Sequence, residues 1–172
     1  MPLSSPARAW SQCRTAALAL GCTVLLGACA MPERQALGTP AAQVAQALGT
    51  PHVRTALPEG AERWLYSRQP AGQQVFHLTF DAQQRLQQVA QVLEPAHFLR
   101  LQPQRDTQET VYQYFGRPAL VEGVASFKGD IWTYRISENN LDRLAHVFLS
   151  PEGVVQRVQF TDEPRSEPES RD

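Results

Sequence analysis

An internal repeat limits the possible folds of this chain more than any other feature of its 172 residues. A helix-like run that ends in Gly-x-Pro, followed by a Trp-x-Tyr motif, occurs twice. The first copy begins with GTPAAQVAQALGTP at Gly38, and the second begins with RDTQETVYQYFGRP at Arg105. Similarity at a fixed period indicates two copies of one supersecondary unit, each burying the same set of positions.

The two copies keep their landmarks in the same order, while the offset between matched residues grows from 67 to 69. The matched pairs are Val44 with Val111, Leu48 with Phe115, Gly49 with Gly116, Pro51 with Pro118, Trp64 with Trp132, Tyr66 with Tyr134, Phe80 with Phe148, Leu86 with Val155, and Val89 with Val158. Loop insertions explain such a drift, so the order indicates one fold written twice.

Each copy begins with residues that predict a short helix. In the first copy, Thr39 can cap the helix and Pro40 suits its first position. In the second copy, Asp106 and Glu109 have the spacing of a capping box. The Gly-x-Pro motif then ends each helix, because glycine accepts a positive φ and proline cannot continue the helix.

Alternating apolar residues after each helix predict β-strands. The strand-like runs are RWLYS, QVFHLTFD and LQQVAQV in the first copy, and DIWTYRIS, LAHVFLS and VVQRVQF in the second. The predicted fold class is α+β, with two tandem repeats, each a short helix (or helix pair) packed on a three-stranded antiparallel meander.

The N-terminal segment predicts export. Thr15–Ala30 is uncharged for 16 residues, whereas a membrane-spanning helix needs about 20 apolar residues. Arg8 and Arg14 precede this run, as in a secretory signal. The sequence LGAC at 26–29 resembles a bacterial lipobox, which implies cleavage between Ala28 and Cys29 and a lipid on Cys29. The alternatives are an ordinary cleaved signal with an incidental cysteine, or an uncleaved anchor.

The predicted domains follow from these features. They are a lipoprotein signal peptide at 1–28, a tether at 29–37, a first repeat at 38–94, a linker at 95–104, a second repeat at 105–161 and a disordered tail at 162–172. Cleavage would leave 144 residues with one cysteine, which excludes an internal disulfide. The whole chain has a net charge of −1 and no basic stripe, so nucleic acid is not an expected partner.

The order of short helix, Leu-Gly-x-Pro or its equivalent, Trp-x-Tyr and further strands resembles the SmpA/OmlA (BamE-like) family of outer-membrane lipoproteins. The resemblance spans Gly38 to Phe160. It implies a lipid-anchored protein on the periplasmic face of the outer membrane, with another envelope protein, one of the outer-membrane assembly machinery, as its partner. Ala30 directly after the cysteine favours the outer membrane, since Asp there often retains a lipoprotein at the inner membrane. The implied role is support of outer-membrane protein assembly or envelope integrity.

The tandem arrangement also resembles the β-lactamase inhibitor protein fold, which is built from two such units. This resemblance implies an alternative function: the chain binds or inhibits a periplasmic or extracellular enzyme through its sheet face. Trp64, Tyr66, Trp132 and Tyr134 are the candidate residues of that face. Because they recur at matched positions, we expect them first to be core or inter-repeat packing residues, and an exposed binding platform is the alternative.

No pattern in the chain predicts catalysis, a metal or a cofactor. No GxSxG, GxGxxG or P-loop occurs, and the histidines have no metal-ligand spacing. The histidines are His52, His77, His97 and His146. The two acidic pairs, Glu59 with Glu62 and Glu138 with Asp142, fall in predicted loops, where solvated carboxylates are the usual interpretation. We therefore expect a protein that is not an enzyme.

We expect the Cys29→Ala substitution to abolish lipid attachment, because the thioether needs the thiol of this residue. Intact-mass analysis of the membrane fraction should show a chain that begins at Cys29 and is heavier than its polypeptide by the lipid. The matched control is Cys22→Ala, within the signal segment, which should leave the modification intact. An unmodified chain that begins at Met1 in the cytosolic fraction would contradict the assignment.

Overall fold

The computed structural model describes residues 30–164. The predicted signal peptide, the cleavage and lipidation residues Ala28 and Cys29, and the end of the predicted tail lie outside these residues. None of the helices in the described range is both long and apolar enough to cross a membrane.

The first repeat contains one helix and four strands. The elements are α1 (Ala41–Leu48), β1 (Val53–Ala56), β2 (Glu62–Ser67), β3 (Val75–Phe80) and β4 (Leu86–Gln91). A 3₁₀ turn at Pro32–Arg34 precedes α1, inside the segment predicted as a tether, and Glu33 forms an ion pair there with Arg68 at 3.0 Å. Because this pair is partly exposed, it adds little to stability.

The second repeat has the same order, with an additional helical turn before it. The elements are α2 (Pro95–Phe98), α3 (Gln108–Phe115), β5 (Leu120–Val124), β6 (Phe127–Glu138), β7 (Leu141–Leu149) and β8 (Val155–Asp162). The segment predicted as a linker thus contains α2. Its Phe98 is fully buried and stacks on Phe115 with 4.0 Å between ring centroids.

Each repeat forms a four-stranded antiparallel meander, with strand orders β1-β2-β3-β4 and β5-β6-β7-β8. The α+β class with two tandem repeats is confirmed, and each sheet has one more strand than the sequence predicted. The additional strands are β1 and β5, whose sequences VRTA and LVEGV lack apolar alternation. Pairing places them in the sheets, with Val53 opposite Leu65 and Leu120 opposite Thr133.

Helix α1 covers one face of sheet 1, the sheet formed by β1–β4. The cluster that it closes consists of buried residues from the helix and from β2, β3 and β4. They are Ala41, Val44, Trp64, Tyr66, Phe76, Leu78, Phe80 and Leu86. Removing each large apolar side chain from water contributes about 1.5–3 kcal/mol, so this cluster fixes the helix on the sheet.

Helix α3 lies between the two sheets. Val111 and Phe115 belong to one cluster with the opposite face of sheet 1 and the inner face of sheet 2, the sheet formed by β5–β8. The sheet 1 members include Val53, Leu65 and Val75, and the sheet 2 members include Trp132, Tyr134, Ile136, Ala145, Val147 and Leu149. The layer order is therefore α1, sheet 1, α3 and sheet 2.

One hydrogen bond explains why glycine and tyrosine recur together in the repeats. The hydroxyl of Tyr66 donates to the carbonyl of Gly49 at 3.0 Å, and the hydroxyl of Tyr134 donates to the carbonyl of Gly116 at 2.9 Å. Each bond joins the C-terminal end of a helix to the second strand of its own sheet. The Gly-x-Pro and Trp-x-Tyr motifs are thus two halves of one local structure.

The predicted helix caps were wrong in detail. The N-cap of α1 is Pro40 and makes no side-chain cap bond, since the Thr39 hydroxyl donates to the carbonyl of Ala36 at 2.6 Å. The capping box of α3 is formed by Thr107 and Thr110, one residue later than predicted. Asp106 is displaced because its carboxylate accepts from the amide of Gln102 at 2.7 Å.

One pair of the repeat alignment was also wrong. Because Glu62 pairs with Phe80 and Asp130 pairs with Leu149, the counterpart of Phe80 is Leu149, and Phe148 points to the opposite face. A one-residue shift in a strand changes the face on which a side chain lies, so an alignment by residue type alone misplaced this position.

The two equivalent glycines provide a matched test of the repeat. Both have a positive φ, 78° at Gly49 and 72° at Gly116, with ψ values of −167° and −156°. This region is accessible almost only to glycine, and another residue there costs about 1–3 kcal/mol. A Cβ at Gly116 would also lie 3.0 Å from Cδ2 of Leu65, whereas one at Gly49 would meet nothing within 4 Å.

We therefore expect both Gly49→Ala and Gly116→Ala to lower the free energy of unfolding, and Gly116→Ala to lower it by about 1 kcal/mol more. Urea unfolding of the two variants measures this difference. Equal losses would show that the contact with buried Leu65 relaxes freely and that the interface between the repeats does not constrain this position.

Candidate functional site

The four aromatic residues proposed for an exposed binding face are buried. The exposed fractions are 3% for Trp64, 6% for Tyr66, 6% for Trp132 and 0% for Tyr134. Trp64 and Tyr66 pack under α1, and Trp132 and Tyr134 pack in the cluster that contains α3. Their burial favours the core-packing interpretation over an exposed binding platform, because these positions recur to fill the space between each sheet and its helix.

The histidines are dispersed over different parts of the fold. Within residues 30–164, no group of three or more His, Cys, Asp or Glu side chains is placed to hold a metal ion. His77 and His146 occupy equivalent positions, opposite Leu65 and Thr133 in their sheets. Their surroundings differ, since His77 faces α3, whereas His146 lies between the hydroxyls of Thr133 at 2.9 Å and Thr161 at 2.8 Å.

His77 belongs to the contact between the repeats. Its Nε2 lies 2.6 Å from the carbonyl of Tyr114 in α3, and the Tyr114 hydroxyl lies 2.8 Å from Nδ1 of His97. The guanidinium of Arg63 lies 5.3 Å from the centre of the Tyr114 ring. Thr55 adds a hydrogen bond from its hydroxyl to Gln113 at 2.8 Å. These polar contacts orient α3 on sheet 1, and they contain no arrangement of nucleophile and base.

The pKa of His77 is lowered to about 4, chiefly by burial and also by the nearby positive charge of Arg63, while the hydrogen bond to the Tyr114 carbonyl opposes the shift. Burial also lowers the pKa of His97 and of His146. At neutral pH, His77 is therefore the neutral imidazole. Its Nε2–H donates a hydrogen bond to the Tyr114 carbonyl oxygen, because that oxygen can only accept.

The acidic pairs have structural surroundings. Glu138 forms an ion pair with Arg143 across the turn between β6 and β7. Asp142 accepts a hydrogen bond from Gln73 of the first repeat at 2.8 Å. Glu59 adopts a left-handed conformation with φ of 59° in the turn before β2, and Glu62 is the first residue of β2.

An open cleft of about 660 Å³ lies beside α3 in the second repeat. We call it the α3 cleft, and its defining residues come from α3, the following Gly-x-Pro segment, β5, β6 and the turn before β8. They are Glu109, Tyr112, Arg117, Val121, Trp132 and Glu152. The cleft combines two aromatic rings, two carboxylates and one guanidinium. None of its residues except Trp132 was a candidate from the sequence.

The cleft lies where one residue opposite the tryptophan differs between the repeats. In the first repeat, Arg54 pairs with Trp64 and places its guanidinium carbon 4.4 Å from the centre of the ring. In the second repeat, Val121 pairs with Trp132 at the equivalent position. The offset of 67 that aligns the Gly-x-Pro motifs also aligns Arg54 with Val121, so the sequence held this signal.

The outer face of sheet 2 is the second candidate surface. We define it by the residues that point away from α3, namely Leu120, Glu122, Ile131, Thr133, Arg135, Leu144, His146, Phe148, Arg157, Gln159 and Thr161. The equivalent face of sheet 1 is covered by α3. On sheet 2, Leu120 is 51% exposed, and the guanidinium of Arg157 lies 3.7 Å from the centre of the Phe148 ring. This face therefore carries apolar groups with long polar side chains across them.

The fold defines the chain as an α+β protein of two tandem helix-on-sheet repeats. No protein-family model matches the chain, and no curated protein matches it. Among solved structures, the chain is similar to the crystal structure of a DUF4309 family protein (YjgB) from Bacillus subtilis, with 14% sequence identity and a TM-score of 0.30. The match covers 73% of this chain and 79% of that chain. This similarity is too low to support a family or a function.

The buried His77 predicts a loss of stability in mild acid. Its folded-state pKa of about 4 lies below the value of about 6.5 expected in the unfolded chain, so the unfolded state binds more protons between these values. The stabilisation is fully present above pH 6.5 and is lost as the pH falls towards 4. We expect the slope from this residue to approach 1.4 kcal/mol per pH unit.

Urea unfolding at pH 5 and pH 7 measures this dependence. His77→Gln should reduce the difference in unfolding free energy between the two values, since an amide keeps a donor for the Tyr114 carbonyl and does not titrate. His52→Gln, at an exposed position in the turn before β1, is the matched control for His77→Gln and should leave the pH dependence unchanged. An unchanged pH dependence in His77→Gln would contradict the assignment.

Proposed function

We propose that this protein is an outer-membrane lipoprotein that faces the periplasm and acts by binding another envelope protein, in support of outer-membrane protein assembly or envelope integrity. We propose further that it belongs with the SmpA/OmlA (BamE-like) lipoproteins. The lipobox-like sequence that ends at Cys29 supports the anchor. The repeated Gly-x-Pro and Trp-x-Tyr motifs, joined in each repeat by the hydrogen bond from tyrosine to glycine, support the family assignment.

The outer face of sheet 2 carries the proposal of protein binding. In the first repeat, the equivalent face binds α3, with Leu65, Val53 and Val75 against Val111 and Phe115 in one cluster. In the first repeat, this side of the sheet therefore packs against a helix with an apolar stripe. Within residues 30–164 no third repeat follows to supply a helix for sheet 2. We infer that the occupant is an amphipathic helix of another envelope protein.

The chemistry of this face sets requirements on the helix. Leu120 supplies exposed apolar surface, whereas Ile131 and Phe148 are 5% and 7% exposed. The Phe127 ring and the Arg157 guanidinium already contact the Phe148 ring, so a partner helix would meet Leu120, Phe127 and the positive charge of Arg157. A helix that fits would place an apolar stripe across β5, β6 and β7 and a carboxylate near Arg157. A lipid anchor confines both proteins to a thin layer, which raises the effective concentration of each for the other. A weak contact then suffices for occupancy.

A photo-crosslinking amino acid at Gln159, on the outer face, tests the proposal in intact cells. We expect an adduct with an outer-membrane protein or a protein of its assembly machinery, with the linked peptide from a helical segment. The same group at Gln43, exposed on α1 at the far side of sheet 1, is the matched control and should not give this adduct.

The Leu120→Glu substitution should reduce the Gln159 adduct by about fivefold or more, since it places a charge where the helix would bury apolar surface. An adduct only with a second copy of this chain would replace the proposal with self-association. The same adduct from Gln43, or no loss with Leu120→Glu, would exclude the outer face as the binding surface.

A further inference from the structure

We propose that the α3 cleft is a binding site for a guanidinium group, presented as an arginine side chain by another protein. The site lies on the α3 side of sheet 2, whereas the outer face lies on the opposite side, because Trp132 and Ile131 are consecutive residues of one strand. The inference is therefore independent of the helix-binding surface described above.

The first repeat contains the template for this contact. Arg54 lies opposite Trp64 in the strand register, and its guanidinium carbon is 4.4 Å from the ring centre, a geometry typical of cation–π attraction. The repeat thus uses the ring at this position to hold a guanidinium. In the second repeat the ring is retained as Trp132, but the residue opposite is Val121. Among the described residues, no cation lies over the Trp132 ring.

A second neighbour of the tryptophan also differs between the repeats. The Trp64 ring contacts Phe80, with 4.5 Å between ring centroids, and the equivalent of Phe80 is Leu149. Leu149 is buried in the core cluster and does not line the cleft, so this difference does not form it. The open cleft of about 660 Å³ is bordered instead by Val121, at the position that Arg54 occupies in the first repeat.

The charges around the cleft favour a cation. Glu109 and Glu152 contribute two carboxylates, and Arg117 contributes one positive charge. Tyr112, which is 37% exposed, adds a second aromatic ring at the mouth. Trp132 packs in the core and is 6% exposed, so only a small part of it borders the cleft. A guanidinium in the cleft can contact this part of Trp132, lie against the Tyr112 ring and bond a carboxylate through its planar N–H groups, a geometry that an ammonium group does not match.

The N-terminus of α3 borders the cleft, but it does not offer a free anion site. The amide of Gln108 donates to the carbonyl of Gly153 at 2.6 Å, and the amide of Thr110 donates to the Thr107 hydroxyl at 3.3 Å. Glu109 in the first turn offsets the positive end of the helix dipole. Because the Gln108 and Thr110 amides are already bonded, the start of the helix does not favour an anion over a cation in the cleft.

The test uses the chain with Trp10→Phe, purified in detergent and labelled with 5-fluorotryptophan, so that fluorine NMR reports on Trp132 with Trp64 as an internal reference. The probe is N-acetyl-arginine amide, and the matched control ligand is N-acetyl-citrulline amide, which has a similar shape without the charge. We expect a saturable shift of the Trp132 signal with the arginine compound and at least about fivefold weaker binding of the citrulline compound.

Three further ligands distinguish the sources of charge. N-acetyl-lysine amide should bind more weakly than the arginine compound, because an ammonium lacks the planar donor array. Choline, which represents a lipid headgroup, should also bind more weakly. Preferential binding of choline, or of N-acetyl-glutamate amide as an anion, would overturn the proposal, and so would equal shifts with arginine and citrulline.

Variants locate the site. Val121→Arg restores the residue of the first repeat and should weaken binding of the arginine compound by about fivefold or more, since the new side chain occupies the ring. Glu109→Gln combined with Glu152→Gln removes both carboxylates of the cleft and should weaken binding by about two- to fivefold. Because Glu109 also accepts a hydrogen bond from Gln113 at 2.6 Å, Glu152→Gln alone is the control that leaves the contact between α3 and sheet 1 intact. Arg54→Val in the first repeat should change the Trp64 signal and leave the Trp132 titration unaltered. Undiminished binding in both cleft variants would overturn the assignment.

Discussion

The burial of α3 between the two sheets is the contact on which the arrangement of the repeats depends. Phe115 packs against Phe98 and lies 5.8 Å from Tyr134 between ring centroids, while Gln113 and the Tyr114 carbonyl bond to sheet 1. One helix thus closes the core of its own repeat and that of the repeat before it. Apolar burial supplies most of the energy of such a contact, and the polar bonds fix its orientation.

Duplication of a helix-on-sheet unit gives equivalent positions different tasks. His77 is held between sheet 1 and α3, whereas His146 bonds to threonines on a face that α3 does not cover. The Arg54 guanidinium lies over the Trp64 ring, whereas Val121 and Trp132 border a cleft. The positions where the copies diverge are therefore those where the second repeat has surfaces that the first repeat lacks. Both binding proposals rest on such positions.

Much of the fold was predictable because the same pattern of apolar residues, glycine and proline occurs in both copies. Gly49 and Tyr66, and their counterparts in the second copy, were recognisable as landmarks, and the hydrogen bond that joins each pair explains why. The strands β1 and β5 were not predictable from alternation, since pairing with a neighbouring strand holds them. The recurring aromatic residues are buried, as the core-packing interpretation expected, because recurrence in a repeat marks a shared core, whereas a binding site can occur in one copy alone.

The sequence by itself determined the α+β class, the two tandem units and the residues that close each core, because the positions of apolar residues, glycine and proline act locally. Tertiary structure alone decided that the sheets stack through α3, that Trp132 borders a cleft, and that one sheet face is left without a helix of the described chain. These features depend on contacts between residues far apart in sequence, such as His77 with Tyr114. Local sequence patterns do not indicate which of these residues come into contact, because the packing of whole helices and sheets determines those contacts.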